Sequence, residues 1–282
     1  MPARIWFITG AGSGFGRSLA QAALEAGDTV VAAVRRPETI TDLIATASGR
    51  VTAVELDVTD LPGIEAAVAE TIEKHGRIDI LVNNAGRGLV GPAELMTDAE
   101  LRDLMDLHFF GPAHLTRAVL PHMRTQGAGT VVQMSSQAGR YSLPGVSGYS
   151  ATKFALEGWS EGLALEVAAH GIRVLIVEPG AFRTSFNEPG VLRFSRRSEI
   201  YRNEVEPTLT ALAGADGKQP GDPDRAAAAI VRAVNSATPP LRLALGSDAA
   251  ETIAASLERA RDELAEWESV TRGTDFPSPV RS

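Results

Sequence analysis

The stretch Arg4-Ile-Trp-Phe-Ile-Thr9-Gly10-Ala-Gly12-Ser-Gly14-Phe-Gly16 decides the fold. An apolar run with aromatic and β-branched residues stops at Thr9-Gly10, and helix formers follow the glycines, so we expect a strand, a tight turn and a helix. Glycine lets a phosphate approach bare backbone, and the first N–H groups of a helix carry partial positive charge. The stretch therefore predicts a phosphate site for a dinucleotide, although a flexible loop would also be rich in glycine.

The composition indicates a globular protein whose partner is a small molecule. The chain has 282 residues, 44% of them hydrophobic, with a net charge of −8 and no cysteine. No Ser/Pro-rich linker divides it, so one domain spanning residues 1–282 is expected. The acidic balance argues against nucleic-acid binding, and no apolar run reaches the roughly eighteen residues of a membrane span. Because the chain has no cysteine, disulfides and thiolate metal sites are excluded, and no metal is expected. The sequence shows no signal-peptide pattern, so we expect a cytoplasmic protein.

Strands and helices alternate along most of the chain. Apolar strands are predicted at 4–9, 29–34, 51–56, 78–82, 130–134, 172–177 and 241–245. Among the helices between them, one runs from Asp98, its N-cap, to Arg124, and one from Ser147 to Ala169. Near-continuous apolar strands separated by amphipathic helices indicate an α/β fold with a doubly wound parallel sheet. Residues 185–223 show no regular pattern of strand or helix. A helix is expected at 249–270, and the tail at 271–282 is expected to be mobile.

Polar residues follow several predicted strands, where an open α/β sheet binds its ligand. Arg35 and Arg36 follow the second strand, with no acidic residue from 29 to 37. An acid there would bind a ribose 2′-hydroxyl, whereas a guanidinium suits a 2′-phosphate, so NADP is favoured over NAD. Asp57 is placed to meet an adenine amino group, and Asn83-Asn84-Ala85-Gly86 closes the fourth strand. An Asp that caps a helix would give the same pattern as Asp57, and an ordinary turn would give the same pattern as Asn83-Asn84-Ala85-Gly86.

Tyr149 and Lys153 form the strongest chemical signal. They stand four residues apart near the start of a predicted helix, so their side chains share a face. A phenol with an ordinary pKa of about 10 is a poor proton carrier at neutral pH, and a nearby ammonium lowers that pKa. Three tyrosines and three lysines would give only about 0.03 such pairs by chance. Ser136, after the fifth strand, can hold a substrate oxygen beside the phenol, although a turn serine alone would look the same.

Together these residues resemble the short-chain dehydrogenase/reductase family. The motifs, in order over residues 4–184, are Thr9-Gly10-x-x-x-Gly14-x-Gly16, Asn83-Asn84-Ala85-Gly86, Ser136, Tyr149-x-x-x-Lys153 and Pro179-Gly180-x-x-x-Thr184. The resemblance implies a seven-stranded Rossmann-type sheet in the order 3-2-1-4-5-6-7 and hydride transfer between NAD(P) and an alcohol or carbonyl. It implies that Tyr149 donates or accepts the proton, that Lys153 lowers its pKa and binds the nicotinamide ribose, and that Ser136 orients the substrate. Further cofactor contacts are implied for Thr9, Gly10, Ser13, Gly14, Phe15, Gly16, Arg35, Arg36, Asp57, Val58, Asn84, Ala85, Gly86, Pro179, Gly180, Phe182 and Thr184.

One position departs from the family pattern. Where many members have an asparagine in an Asn-x-x-Gly setting, this chain has His108-Phe-Phe-Gly111. That asparagine is thought to hold a water that relays protons to the lysine. His108 either holds the same water or is a packed histidine without a catalytic role. With an ordinary pKa of about 6.5, a relay histidine would make activity fall on the acid side of neutrality.

The segment after the sixth strand predicts a lid over the substrate. Phe186, Phe194 and Tyr201 indicate a lipophilic carbonyl or alcohol, unless they only pack among themselves. The leading prediction is an NADP-dependent oxidoreductase, and the alternative is a non-catalytic NADP-binding regulator of the same fold. Sugar-nucleotide epimerases usually show G-x-x-G-x-x-G, which Ser13 breaks. Many relatives dimerise through two long helices, so a homodimer is expected, and a tetramer is left open.

Overall fold

The computed structural model describes residues 3–188 and 190–276. Its strands are β1 Ile5–Thr9, β2 Thr29–Val34, β3 Val51–Glu55, β4 Ile80–Asn83, β5 Leu89–Val90, β6 Gly129–Met134, β7 Ile172–Pro179, β8 Arg193–Phe194 and β9 Arg242–Leu245. Its α-helices are α1 Gly14–Glu25, α2 Thr41–Thr46, α3 Leu61–His75, α4 Asp98–Met105, α5 Gly111–Gln126, α6 Ser147–Val167, α7 Arg202–Gly214, α8 Pro223–Val234, α9 Ser247–Glu266 and α10 Glu268–Arg272. None of these helices is both long and apolar enough to cross a membrane.

Seven of the strands form one parallel sheet in the order β3-β2-β1-β4-β6-β7-β9. The chain builds outward from β1 to β3 and then returns to the other side of β1 as β4. The strand order therefore reverses between β1 and β4, and the carboxyl ends of these two strands leave a crevice there. The doubly wound Rossmann-type sheet predicted from the sequence is confirmed.

Helices cover both faces of the sheet. Every residue of β1 is buried, and its side chains alternate between the faces. Trp6 and Ile8 share one hydrophobic core with Leu19 of α1. Phe7 shares the other core with Leu115 of α5. An apolar run without polar alternation is the pattern that a strand buried on both faces requires.

The helix predicted to begin at the N-cap Asp98 has a different cap. Thr97 is the N-cap residue, because the Glu100 N–H donates to its hydroxyl at 3.2 Å while the Thr97 N–H donates to the Glu100 carboxylate at 2.8 Å. Asp98 is the first helical residue. This reciprocal pair satisfies two backbone donors, which a cap at Asp98 would not do.

A π-helical turn interrupts the long helix predicted over residues 98–124. Regular α-helix ends with α4, and the turn Asp106–Phe110 separates it from α5. Pro121, the predicted site of a kink, lies inside α5, which continues to Gln126. Single π turns are frequent at functional sites, and this one carries His108.

The segment 185–223, predicted to be irregular, contains a helix. α7 buries Val205 and Leu209 and has Pro207 in its interior, a residue that in the sequence reads as a helix breaker. The short strand β8 pairs in parallel with β5, Leu89 with Arg193 and Val90 with Phe194. This pairing ties the lid segment, defined as residues 185–223, to the loop after β4.

After β9 the chain leaves the body of the molecule. Ala249 and Ile253 are the buried residues of α9, and every described residue from Leu257 onward is exposed. Helical structure continues through α10 to Arg272. Of the tail predicted to be mobile, residues 277–282 lie outside the described residues.

Candidate active site

A cleft of about 610 Å³ opens at the carboxyl ends of β1, β4 and β6. It collects most of the site residues predicted from the sequence. Those in its lining are Gly10, Ser13, Gly14, Phe15, Arg35, Arg36, Asp57, Val58, Asn84, Ala85, Gly86, His108, Ser136, Tyr149, Lys153, Pro179, Gly180, Phe182, Thr184 and Phe186. Thr9 and Gly16 lie behind this lining, and Phe194 and Tyr201 lie away from it.

The glycine loop after β1 leaves helix α1 open to an anion. Gly10 and Gly14 adopt φ angles of +66° and +50°, which residues with a Cβ rarely reach. A Cβ on Gly16 would lie 2.3 Å from the Gly10 carbonyl oxygen, so the turn closes only with glycine there. Ser13 is the N-cap of α1 but makes no side-chain cap, and the first turn contains no acidic residue. The first N–H groups of the helix therefore remain available to a phosphate.

Thr9 and Asn84 join the ends of β1 and β4. The Thr9 hydroxyl accepts the N–H groups of Asn84 at 2.8 Å and Ala85 at 3.0 Å. In return the Asn84 side-chain amide donates to the Thr9 carbonyl at 2.9 Å. A Cβ on Gly10 would lie 3.1 Å from the Ala85 Cα, so the two loops pack backbone against backbone. These bonds fix the floor of the cleft.

Basic side chains line the cleft beside Asp57. Arg35 and Arg36 are exposed there, and the described residues offer neither of them an ion-pair partner. Asp57 accepts the N–H of Thr59 at 2.9 Å and its hydroxyl at 2.7 Å. Burial opposes ionisation of Asp57, but these bonds and the positive charges of Arg35 and Arg87 leave its pKa below the usual value.

Ser136, Tyr149 and Lys153 meet where β6 ends and α6 begins. The Lys153 ammonium donates to the Met134 carbonyl at 2.7 Å and lies 5.6 Å from the centre of the Tyr149 ring. The Ser136 hydroxyl accepts the Ala138 N–H at 3.1 Å and also hydrogen-bonds to Tyr149. One helical turn and one strand end thus bring a phenol, an ammonium and a hydroxyl together.

Burial controls the ionisation of this trio. It raises the pKa of Tyr149 well above the usual 10, and the Ser136 hydrogen bond only partly opposes this. Burial also lowers the pKa of Lys153 to about 7, against the pull of the Glu157 carboxylate. The net lowering of the tyrosine pKa implied by the sequence is therefore wrong for the protein alone, because loss of solvent around the phenol raises the pKa by more than the Ser136 hydrogen bond lowers it. Tyr149 keeps its proton at neutral pH, whereas Lys153 changes charge there.

His108 is a buried neutral imidazole. Its Nε2 lies 2.8 Å from the Arg87 carbonyl, and the ring meets Tyr149 edge-on at 5.3 Å between ring centres. Its Nδ1 is buried without a partner among the described residues. Burial and the Lys153 charge hold the pKa of His108 well below 6.5. This shift moves the acid limb that the sequence predicts for a relay histidine to well below pH 6.5.

Phe186 is the predicted lid aromatic that faces the trio. Its ring centre lies 5.8 Å from that of Tyr149. Phe194 lies on β8 with its side chain partly exposed, and the Tyr201 hydroxyl contacts the Glu94 carboxylate instead of the cleft. The cleft lining also includes the apolar residues Val90, Leu143, Val146, Val191, Leu192 and Leu212. Of these, Val90, Val146 and Leu192 pack in one hydrophobic cluster with Tyr149.

Comparison with known proteins agrees with this geometry. A family model described as short chain dehydrogenase matches residues 4–191. The chain belongs to this family. The oxidoreductase BOA17 of Botryotinia fuckeliana is 36% identical over 267 residues, which are 92% of this chain and 97% of that protein. A 3-ketodihydrosphingosine reductase of Bacteroides thetaiotaomicron is 37% identical over 248 residues, 87% of this chain and 89% of that protein.

Solved structures of short-chain dehydrogenases share the whole fold. One from Streptomyces avermitilis is 53% identical, with a TM-score of 0.92, and the match covers 97% of this chain and 99% of that one. The 3-ketoacyl-(acyl-carrier-protein) reductase from Brucella melitensis, solved with NADH, is 27% identical, with a TM-score of 0.72 and coverages of 86% and 96%. This short-chain dehydrogenase is therefore an NAD(P)-dependent oxidoreductase acting on a small molecule.

The sequence patterns did not single out Arg87 and Gln219, two polar residues that line the cleft of this short-chain dehydrogenase. Arg87 lines the cleft near Arg35 and Asp57, and its guanidinium contacts the Asp103 carboxylate. Its position directly after the Asn83–Gly86 run could have revealed it. Gln219 is 3% exposed, and both polar atoms of its side chain lack a partner in the described part of the chain. No local pattern marks Gln219, because the fold alone brings the end of the lid segment to the cleft.

Proposed function

We propose that this enzyme uses NADP and transfers a hydride between the nicotinamide and a lipophilic ketone or the corresponding alcohol. The observation that carries the proposal is the meeting of Ser136, Tyr149 and Lys153 at the apolar end of the cleft, with Phe186 above them. A protein that only binds a nucleotide has no need of a phenol, a hydroxyl and a buried ammonium in one place.

The residues present fit a dinucleotide. Positive φ angles at Gly10 and Gly14 and the uncapped N-terminus of α1 make a backbone cradle for its phosphates. Asp57 and Val58 would hold the adenine end, and Thr184 and Lys153 the nicotinamide end. When bound, the cofactor supplies or accepts the hydride.

The trio would manage the proton and the substrate oxygen. Ser136 would donate a hydrogen bond to that oxygen and place it beside the Tyr149 hydroxyl. In reduction, Tyr149 would give its proton to the oxygen, which the raised pKa keeps available at neutral pH. The charged form of Lys153 would then stabilise the phenolate left on Tyr149. In oxidation the same groups would act in reverse.

The preference for NADP rests on the arginines at the adenosine end. Arg35 and Arg36 are exposed in the cleft, and the described residues leave both guanidinium groups without a carboxylate partner, so they are available to a 2′-phosphate. Arg87 adds positive charge nearby. No acidic side chain stands directly after β2 to accept a ribose hydroxyl in the manner typical of NAD sites.

Arg35→Asp should lower kcat/KM for NADPH by about 10- to 100-fold, because a charged hydrogen bond to the phosphate is replaced by repulsion. Use of NADH should improve relative to NADPH. The measurement is kcat/KM for each cofactor with one ketone. Arg225→Asp, at an exposed arginine on α8 outside the cleft, is the matched control and should change neither value. Equal use of both cofactors by the parent enzyme would contradict the proposal.

His108 would hold a water that passes protons toward Lys153. Its Nε2 hydrogen is committed to the Arg87 carbonyl, so the buried Nδ1, which has no hydrogen-bond partner among the described residues, is left as an acceptor. The lowered pKa keeps this acceptor unprotonated at neutral pH.

His108→Asn should keep most of the activity, since an amide oxygen can accept the same hydrogen bond. His108→Leu, which fills space without an acceptor, should lower kcat about tenfold. The kcat of both variants, measured with their melting temperatures, separates the two roles. Equal kcat values for the Asn and Leu variants would make His108 a packing residue only.

The apolar wall supports a lipophilic substrate. Val90, Val146 and Leu192 pack in one cluster with Tyr149, and Leu143 and Leu212 also line the cleft. Burial of such surface favours a ligand with alkyl or ring carbon near its carbonyl. The related protein from Bacteroides thetaiotaomicron is named a 3-ketodihydrosphingosine reductase. Both point to a ketone attached to a sizeable hydrocarbon.

A homodimer would form through the exposed face of α6. Phe154 and Leu165 share this face with exposed fractions of 48% and 81%. A Cβ added to Gly158 or Gly162 would meet no atom within 4 Å, so a second helix can approach closely there.

Phe154→Asp should weaken the dimer about a hundredfold. Ile44→Asp, at an exposed apolar residue of α2, is the control. Sedimentation of the parent as a 29.7 kDa species at micromolar concentration would contradict the prediction.

A further inference from the structure

Gln219 is a buried polar residue to which the fold gives no side-chain hydrogen bond. It is 3% exposed and lines the cleft, and neither its Oε1 nor its Nε2 has a partner within residues 3–188 and 190–276. Burial of an amide without partners is costly, so an unpaired one needs an explanation. Gln219 lies beyond residues 4–191, so the match to the short-chain dehydrogenase model assigns it no role.

Gln126 shows how this protein treats a structural glutamine. Its Nε2 donates to the Ile78 carbonyl at 3.1 Å and to the Ala128 carbonyl at 3.2 Å, and its Oε1 accepts the Ile78 N–H at 3.4 Å. Both ends of that amide are satisfied by the protein itself. The two unsatisfied ends of Gln219 therefore indicate a partner that the chain does not supply.

The fold holds Gln219 beside the loop that follows β7. Phe182 and Gly221 form a parallel bridge, in which the Gly221 carbonyl accepts the Arg183 N–H at 2.9 Å. The Arg183 guanidinium also donates to the Gln219 backbone carbonyl at 3.2 Å. The same loop contains Thr184, which the proposed function assigns to the nicotinamide end of the cofactor. Gln219 is therefore a neighbour of that end of the cleft.

The chemistry of an amide selects the group that can satisfy it. A phosphate only accepts hydrogen bonds, so it would leave Oε1 without a donor and close to negative charge. A hydrocarbon chain would satisfy neither end of the amide, and one hydroxyl can reach only one end at a time. A carboxamide has an oxygen that accepts and an NH₂ that donates, so it can pair with both ends at once.

We propose that Gln219 binds the carboxamide of the nicotinamide through both ends of its side-chain amide. The inference rests on the proposed function, because it needs the nicotinamide at this end of the cleft. No hydrogen bond within the described chain fixes the terminal torsion of Gln219, so its amide can turn toward the cofactor. The pairing would hold the nicotinamide ring against rotation and so fix the face that it presents to the substrate.

Gln219→Met keeps the length of the side chain and removes both of its hydrogen-bonding ends. The dissociation constant for NADP⁺, measured by isothermal titration calorimetry, should rise about tenfold. The constant for 2′-phospho-ADP-ribose, which lacks the nicotinamide, should stay within about twofold of the parent value. The melting temperature of the cofactor-free variant should not fall, because the substitution removes no side-chain hydrogen bond within the described chain.

Gln126→Met is the matched control, with the same substitution at a glutamine outside the cleft. It should lower the melting temperature, because it removes the hydrogen bonds to Ile78 and Ala128. It should leave the dissociation constants for NADP⁺ and 2′-phospho-ADP-ribose unchanged. Opposite effects of the two substitutions on stability and on binding would support a ligand-binding role for Gln219.

Three results would overturn the inference and leave the proposed function standing. One is parent-like binding of NADP⁺ by Gln219→Met in every assay. Another is equal weakening of NADP⁺ and 2′-phospho-ADP-ribose, which would place the contact elsewhere on the cofactor. The third is a raised KM for the ketone with unchanged NADP⁺ binding, which would assign Gln219 to the substrate. Failure of the parent enzyme to bind NADP⁺ would contradict the proposed function and this inference together.

Discussion

Replacing Tyr149 with phenylalanine should lower kcat by about 10² to 10⁴, while the affinity for NADPH stays nearly unchanged. The change removes only the hydroxyl, and the ring keeps its contacts with Phe186 and His108. In reduction the substrate oxygen then keeps only its hydrogen bond from Ser136 and loses the group that transfers a proton to it, so the alkoxide must take its proton from water. The effect should appear in kcat and not in cofactor binding, because the hydroxyl acts on the reacting atoms.

The measurement is kcat together with the dissociation constant for NADPH from cofactor fluorescence. Tyr141→Phe is the matched control, since Tyr141 is another partly buried tyrosine lining the same cleft. It should retain the parent kcat. A near-normal kcat in the Tyr149 variant would remove this residue from the mechanism, whatever the control shows.

Replacing Lys153 with methionine should lower kcat/KM for the ketone by about 10² to 10³ and should also change the pH profile. Burial lowers the pKa of Lys153 to about 7. Its ammonium is present below that pH and is lost as the pH rises through it. Since the charged form stabilises the phenolate, reduction by the parent enzyme should slow as the pH rises above about 7.

The pH profile separates this role from simple packing. Tyr149 stays protonated throughout, and the lowered pKa of His108 removes it as a source of an acid limb. The methionine variant should therefore show no fall between about pH 6 and 8, while Lys74→Met, on the solvent side of α3, should follow the parent. A fall that persists in the Lys153 variant would assign the ionisation to another group.

Short stretches of sequence were enough to predict those parts of the site whose geometry depends on a few adjacent residues. The glycine turn after β1 and the four-residue step from Tyr149 to Lys153 are properties of a few adjacent residues, and the structure places them at one cleft. The sheet followed from uninterrupted apolar strands, because only burial on both faces tolerates them.

The other features of the fold and of the site depend on packing between distant segments, which no local sequence pattern predicts. Pro207 argued against a helix in this part of the sequence, although Val205 and Leu209 pack α7 against Val90 and Val146. The sequence predicts a lowered pKa for Tyr149, whereas burial in the structure raises it. The composition does not show how deeply a side chain is buried. Gln219 reaches the cleft only because the lid segment folds back. Within the lid, spacing could not distinguish Phe186, which faces the site, from residues that hold the lid to the body.

Transfer of a labelled hydride tests most directly whether this enzyme reduces ketones with NADPH. Parent enzyme would be incubated with NADPH deuterated at C4 of the nicotinamide and with a panel of aliphatic, aromatic and steroid ketones, and the products analysed by mass spectrometry. We expect an alcohol that carries the deuterium, formed faster with NADPH than with NADH and almost absent with Tyr149→Phe. Tight binding of NADPH with no deuterium in any product would contradict it and would support a non-catalytic NADP-binding regulator instead.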